Sequence, residues 1–429
     1  MPRFYQQLVR LLVTMSLCVA LVGCKSAPDT PQYARPLPPG ADALRKVINL
    51  AEMPSLRPAF IKRDKGLLEA LTRSLAWFDR PSTQQHYPVR VDGDYVSHRH
   101  AHLSVFAFRQ VVATMDDAHA FDAAIKREFD IYTSVGWDNR GTVFYTGYYS
   151  PVFRASFTRD GTYRYPLYTR PPQLQTDPAS GAVLGWTAAD GKLVKPPTRA
   201  QIETQNMLTG LELVYLPSRL DAYMIEVNGS ARLEMTDGSV LHIGYAGNNG
   251  YDYVSIGKRL AADGKVDPNR VNMTAIRDHF RSHPEELDGY IQQNPRFVFF
   301  KEYDGANWPA GSLGFPVTPW RSLATDKAIF PRGGVVLVDT TLSTTPGSPL
   351  QFEQFMLDQD TGGAIRAAGR ADIYMGVGDV AGHAAGRQAT EGRLYYLLLK
   401  RERLEYWSRI MAGGSARAPA ADAAATTFD

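Results

Sequence analysis

Apolar positions along the chain fall into two textures. Leu67, Leu68, Leu71, Leu75 and Trp77 recur at near-helical spacing, as do Val105, Phe108, Val111 and Val112, so the first part of the chain reads as helices. From Thr142 onward the pattern changes to short β-branched and aromatic runs broken by Gly, Asp and Pro. These runs, at Thr142–Tyr149, Tyr163–Tyr168, Ala222–Val227, Arg232–Met235, Val240–Tyr245 and Val335–Val338, are predicted strands. Short strands separated by turn signals point to barrels or packed sheets. Ile276, Phe280, Leu287 and Ile291 predict a helical insert from Asp267 to Gln293, and Arg393–Trp407 a final strand running into a helix. The expected fold is mainly β with flanking helices, in two β-rich bodies, with no internal repeat.

Composition narrows the class. Of 429 residues, 44% are hydrophobic and 21% charged, with 36 Gly and 28 Pro, which excludes wholesale disorder and collagen-like structure. The 47 Lys and Arg against 44 acidic residues leave a formal charge of +3, too even for a nucleic-acid binder. Aromatics at 11%, with 22 Tyr, suit a polar groove lined by rings, where sugar C–H faces stack and hydroxyls hydrogen-bond.

The ends differ from the body. Arg3 and Arg10 precede an apolar run, Leu11 to Val22, too short to span a membrane and shaped like a signal sequence. It ends in Leu21-Val22-Gly23-Cys24, which resembles a bacterial lipobox, so residues 1–23 are expected to be removed and Cys24 lipidated. An ordinary secretory signal cut nearby is the alternative. Cys18 leaves with the signal, so no disulfide is expected and stability must come from a packed core. Lys25 is not the Asp that retains lipoproteins in the inner membrane, which favours the periplasmic face of the outer membrane. Residues 24–58, rich in Pro and Ala, read as a flexible tether, and 409–429 as a disordered tail.

Several motifs carry little chemistry. His98, His100 and His102 alternate as metal ligands on a strand would, but Ser97 is placed to cap a helix that would leave His98 and His102 on one face and His100 elsewhere. Gly376-Val-Gly378-Asp-Val-Ala-Gly382 has its third glycine one residue late, no long strand-turn-helix unit expected after it and no P-loop lysine, so nucleotide binding is not expected. The carboxylates say more. Asp360 precedes two glycines, where a short acid bonds turn amides. Asp372 lies between Ala371 and Ile373-Tyr374, and an acid flanked by apolar residues in a β setting holds its proton to higher pH, as a general acid must. On spacing alone, both acids serve equally well as turn formers.

Tyr145-Thr-Gly-Tyr-Tyr-Ser-Pro151, Tyr245-Ala-Gly-Asn-Asn-Gly250, Ser255-Ile-Gly257, Asn294-Pro-Arg-Phe-Val-Phe-Phe300, Val317-Thr-Pro-Trp-Arg-Ser-Leu323, Asp360-Thr-Gly-Gly-Ala-Ile365 and Asp372-Ile-Tyr374 follow one another in order. Together they resemble the membrane-bound lytic murein transglycosylase A family, from about Ile61 to Leu398, with a C-terminal three-aspartate domain. The resemblance implies a double-psi β-barrel domain over 59–154 and 263–408, its three-aspartate region at 317–400. A second β-barrel domain would be inserted over 155–262, with a groove between the two for peptidoglycan glycan strands. It places the general acid on Asp372, supporting roles on Asp360 and Asp326, and substrate contacts on Thr146, Tyr148, Tyr149, Ser230 and Gly247.

The implied reaction cleaves the β-1,4 MurNAc–GlcNAc bond without water and closes a 1,6-anhydro ring, one Asp acting as acid and then base. No metal or organic cofactor is expected. A muramidase using two carboxylates and a non-catalytic peptidoglycan-binding lipoprotein remain as alternatives.

Overall fold

The computed structural model describes residues 31–177, 181–268, 271, 273–345, 348–363 and 365–413. The expected signal sequence and Cys24 lie outside these, as do residues from 414 on. Among the described residues, no helix is long and apolar enough to cross a membrane.

In chain order, the elements that frame the site begin with β1 (Leu44–Lys46), α1 (Lys65–Phe78), α2 (His98–Thr114), α3 (Ala118–Glu128), β2 (Phe129–Ser134) and β3 (Val143–Ser150). They continue through β4 (Val152–Ala155), β5 (Tyr165–Tyr168), α4 (Arg199–Thr204), β6 (Glu212–Leu216), α5 (Arg219–Asn228), β7 (Ser230–Met235) and β8 (Val240–Asn248). Next come α6 (Ile256–Ala262), α7 (Met273–Ser282), α8 (Leu287–Gln292), β9 (Val298–Tyr303), β10 (Ser322–Ala324), β11 (Val335–Thr345) and β12 (Ser348–Asp360). The last are β13 (Arg370–Val377), α9 (Gly378–Arg387), β14 (Ala389–Leu399) and α10 (Leu404–Met411).

Each long N-terminal helix starts on a side-chain cap. Asp64 accepts from Leu67 N at 2.9 Å, Ser97 from His100 N at 3.1 Å and Asp117 from Ala120 N at 2.7 Å. The helices lay their apolar faces on a sheet ordered β1-β2-β14-β11-β12-β10-β13-β3. Because β3 pairs in parallel with β13 and antiparallel with β14, the six strands from β14 round to β3 close into a barrel. Closure leaves no edge among them.

A second sheet, β9-β8-β7-β4, encloses its own core of Leu167, Val214, Ile225, Leu233, Ile243 and Phe300. The β5–β6 pair bridges both its edges, at Ser156–Tyr215 and Thr169–Phe300, and so turns it into a second barrel. The two barrels expected from the family pattern are therefore present.

Four expectations are corrected. Ala222–Val227 lies in helix α5, because Ser218 caps its start and Gly229, at φ 76°, stops it in the left-handed conformation. The inserted body does not end at 262. Strand β9 pairs with β8 as far as Tyr303, and α6, α7 and α8 pack on α5 through Ile256, Phe280 and Ile291. The tether expected over 24–58 is folded from Tyr33 on, since Leu44, Val47 and Leu56 are buried and β1 pairs with β2. The C-terminal helix likewise runs to Met411, past the expected start of the tail at 409.

Candidate functional site

Register places the acid. Across β10, β13, β3 and β14, Ala324, Asp372, Thr146 and Ala389 stand directly opposite one another. One pleat earlier, Arg370, Phe144 and Glu391 form a parallel row on the same face. The Thr146 hydroxyl donates to Asp372 Oδ1, and Arg370 Nη2 lies 3.6 Å from the same oxygen and 3.1 Å from Thr146 Oγ1. Burial pushes the Asp372 carboxyl above its ordinary pKa, the Asp360 charge adds to this, and Thr146 and Arg370 oppose it. Its side chain keeps 18% exposure, and among the described residues nothing donates to Oδ2. The site thus holds a partly desolvated carboxyl with one oxygen anchored and the other open.

Asp360 is occupied differently. Its Oδ2 accepts from the Tyr148 hydroxyl at 2.8 Å, and its Oδ1 from Ser312 N at 2.9 Å and Thr361 N at 2.8 Å. Burial raises its pKa as well, against these three donors and the Lys327 charge. The Tyr148 ring packs at 5.1 Å from that of Tyr374, whose hydroxyl donates to Ser150 Oγ at 3.1 Å.

Asp326 shapes the loop between the other two acids. Its Oδ1 accepts from Ala328 N at 3.0 Å and its Oδ2 from Ala367 N at 2.9 Å, which holds Ala367 at φ 67°, a left-handed angle rare for alanine. Sequence reasoning missed the neighbours of this turn. Lys327 Nζ is buried against Asp358 and bonds Thr325 Oγ1 at 2.9 Å, while Tyr396 OH donates to Asp358 Oδ2 at 2.8 Å. Thr325 N then bonds Asp360 O at 3.1 Å, which ties the ion pair to the acid's backbone. The spacing of Asp358 and Asp360, two apart on a strand, was the one available signal. Arg370, two before Asp372, offered the same signal and was equally overlooked.

The structure thus brings together Asp326, Asp360, Asp372, Thr146 and Tyr148. Tyr149, half-buried, covers Gly382 of helix α9, where a Cβ would approach its ring to 2.8 Å. That helix starts directly after β13, so the Gly376 motif itself spans a strand-to-helix junction, without a phosphate-loop lysine. Ser230 and Gly247 are on β7 and β8 of the second barrel. Gly247, at φ 149°, sits at a bulge beside a cavity of about 450 Å³ lined by Lys195, Asn248 and Tyr251. His98 contacts Thr83 at 2.7 Å and His100 the Leu399 carbonyl at 2.7 Å, so two of the alternating histidines are engaged in packing α2.

Comparison with known proteins bears on this geometry. The profile of the MltA specific insert domain matches residues 144–301, and that of the 3D domain residues 321–398. Membrane-bound lytic murein transglycosylase A of Escherichia coli K12 is 36% identical over 282 residues, covering 64% of this chain and 72% of that protein. The Vibrio cholerae protein of the same name is 32% identical over 285 residues, covering 65% and 72%. Among solved structures, a membrane-bound lytic murein transglycosylase from Agrobacterium tumefaciens superposes with a TM-score of 0.66 at 26% identity, covering 85% of this chain and 99% of that one. E. coli MltA with bound chitohexaose gives 0.62 at 26%, covering 86% and 97%.

Proposed function

Since the chain belongs to the membrane-bound lytic murein transglycosylase A family, and so is a lytic transglycosylase that cleaves peptidoglycan, we propose that Asp372 alone performs its acid and base steps. The protonated carboxyl donates to the glycosidic oxygen between MurNAc and GlcNAc as the C1–O bond breaks and oxocarbenium character develops. The resulting carboxylate takes the proton of the muramyl 6-hydroxyl, whose oxygen bonds to C1 and closes the 1,6-anhydro ring. One carboxyl suffices because the nucleophile is carried by the substrate and arrives positioned. The observation that carries this reading is the contrast within the acid cluster. Asp372 is raised in pKa and open at Oδ2, whereas Asp360 has three donors and little capacity left to activate water.

Asp360 fixes Tyr148, and Asp326 fixes the intervening loop, so both act as supports. Thr146, Tyr148 and Tyr149 on the first barrel, with Ser230 and Gly247 on the second, supply the walls of a groove for the glycan strand. Binding of chitohexaose by the E. coli relative supports a site for a linear aminosugar polymer. The relatives are named membrane-bound, which supports attachment to a membrane; the lipobox ending at Cys24 is the ground for a lipid anchor there, and Lys25 after it the ground for the periplasmic face of the outer membrane.

The test is mass spectrometry of muropeptides released from purified sacculi by the full chain and by Asp372→Asn. Products ending in 1,6-anhydromuramic acid with wild type, and none with the variant, are expected. Reducing ends one water heavier would replace this reading with a hydrolase.

A further inference from the structure

We propose that Tyr33, in the strap that leads into the body from the N-terminal side, is a positioning residue for the catalytic carboxyl, acting through Phe144 and Arg370. The inference rests on Asp372 being the acid. Tyr33 stacks on Phe144 with centroids 4.4 Å apart and planes 13° from parallel, meets Trp137 edge-on at 5.9 Å, and donates its hydroxyl to Glu391 Oε1 at 2.7 Å. Phe144 and Glu391 belong to the same pleat row as Arg370, one step along the sheet from Asp372 and Thr146.

The strap therefore covers the row that ends in the acid's cationic neighbour. The Arg370 guanidinium carbon lies 5.4 Å from the centroid of the same Phe144 ring, and Nη2 reaches Thr146 and Asp372. Arg370 Nε is buried with no hydrogen-bond partner among the described residues. The guanidinium is thus held by one hydroxyl, by the Asp372 carboxyl at 3.6 Å and by the ring beneath it, and a long side chain so lightly bonded depends on that ring staying in place.

The strap's backbone is fitted to the sheet as well. A Cβ on Gly369, the residue before Arg370, would stand 2.7 Å from the Tyr33 carbonyl oxygen and 2.6 Å from Trp137 Cβ. Glycine there lets the strap lie directly against the strand that carries the acid. Phe144 N bonds Gly369 O at 2.9 Å, so the same residue joins ring, strap and strand. With Tyr33 gone, Phe144 loses its cover, Arg370 loses its fixed position, and the positive charge facing Asp372 weakens. The other groups facing the acid, Asp360 from β12 and Tyr148 from β3, stay where they are. The expected result is an acid that holds its proton to higher pH in a less defined geometry.

The experiment measures kcat, KM and the pH profile of the full chain in detergent on sacculi, for wild type, Tyr33→Ala, Tyr33→Phe, Gly369→Ala and Asp372→Asn, with thermal unfolding of each. Tyr33→Ala is expected to lose about three- to tenfold in kcat, the size of one aromatic stack, with KM little changed. Its alkaline limb moves to higher pH. Gly369→Ala gives the same signature with Tyr33 still present, and Tyr33→Phe, which keeps the stack, restores most of the loss. A wild-type kcat and limb in Tyr33→Ala overturns the proposal, and so does a loss with an unmoved limb. Retained activity in Asp372→Asn would overturn the assignment of the acid itself. Loss there beside a wild-type Tyr33→Ala would remove the strap's role alone.

Discussion

The two barrels each bury an ionic cluster, and the clusters differ in what they leave unsatisfied. In the inserted body, Arg199 is 1% exposed and forks onto Glu226 at 3.1 and 2.5 Å. It also bonds Glu203 at 3.2 Å and the carbonyls of Asn294 and Arg296 at 3.2 and 2.7 Å, while Glu226 accepts from Val298 N at 3.2 Å. Burial opposes the Arg199 charge, but Glu226 and Glu203 more than offset it, and its pKa is raised. The pair locks α4 and α5 onto the start of β9, and each oxygen of Glu226 is used. In the first barrel Asp372 has one oxygen committed and one open. Burial alone therefore does not mark chemistry. A buried acid with spare capacity does, because only such a group can take and return a proton at a substrate atom.

Charge removal separates the two clusters most clearly. Asp372→Asn is expected to lower kcat on sacculi by about 10²- to 10⁴-fold, the range of a general acid–base residue. It should not lower stability. Because the folded pKa of Asp372 is raised, the folded state binds the proton more tightly than the unfolded chain does. Its ionised form then costs stability as pH rises from the unfolded pKa through the folded one. The variant should accordingly melt above wild type at neutral pH, with the gap closing as pH falls below the ordinary carboxylate range. A variant less stable than wild type at neutral pH would mean that the carboxylate is a structural anion.

Glu226→Gln is the counterpart. It strands a buried guanidinium, and the expected loss is about 3 kcal/mol, toward the low end for a broken buried pair because Glu203 remains. The check is the urea midpoint, with kcat in the folded baseline near wild type. An equal loss of rate would mean that the inserted body transmits strain to the acid, and the comparison would fail.

Much of this contrast was invisible in the sequence, for reasons specific to each residue. Asp360, Asp372, Thr146 and Tyr148 sit in a recognisable order of short motifs, on strands whose β-branched and aromatic runs local pattern reads well, while Asp326 lies in the loop after β10. Arg199 and Glu226 lie 27 residues apart on two short helices, and no periodicity links positions that meet only through tertiary packing. The run Ala-Tyr-Met-Ile-Glu-Val at 222–227 has strand composition, and only its ends, Ser218 and Gly229, mark it as a helix. The strap was hidden by its prolines, which are typical of a linker, while Tyr33 and Leu44 between them carry the contacts. Lys327 escaped because a buried lysine announces itself only through a partner, here Asp358, 31 residues later.

Within the first barrel the comparison narrows to Asp360 and Asp372, which influence each other through charge. Asp360→Asn puts an amide where three donors converge, and the expected cost is about ten- to a hundredfold in kcat, the worth of one charge-assisted hydrogen bond to a positioned group. It also removes a negative charge facing Asp372, which lowers the acid's pKa, so the alkaline limb of kcat/KM should move to lower pH.

Arg370→Gln has the opposite sign and the smallest effect. Asp372 faces Arg370 from its own strand, Thr146 and Tyr148 from β3 and Asp360 from β12, and the guanidinium is the cation in that set. Its loss leaves the desolvated carboxyl less well compensated when ionised, so the acid stays protonated to higher pH. The alkaline limb should rise, and only slightly, because the pair is partly exposed. Limbs moving in opposite directions for Asp360→Asn and Arg370→Gln would place both charges on one acid. Limbs moving together would mean that the group titrating in the rate is not Asp372.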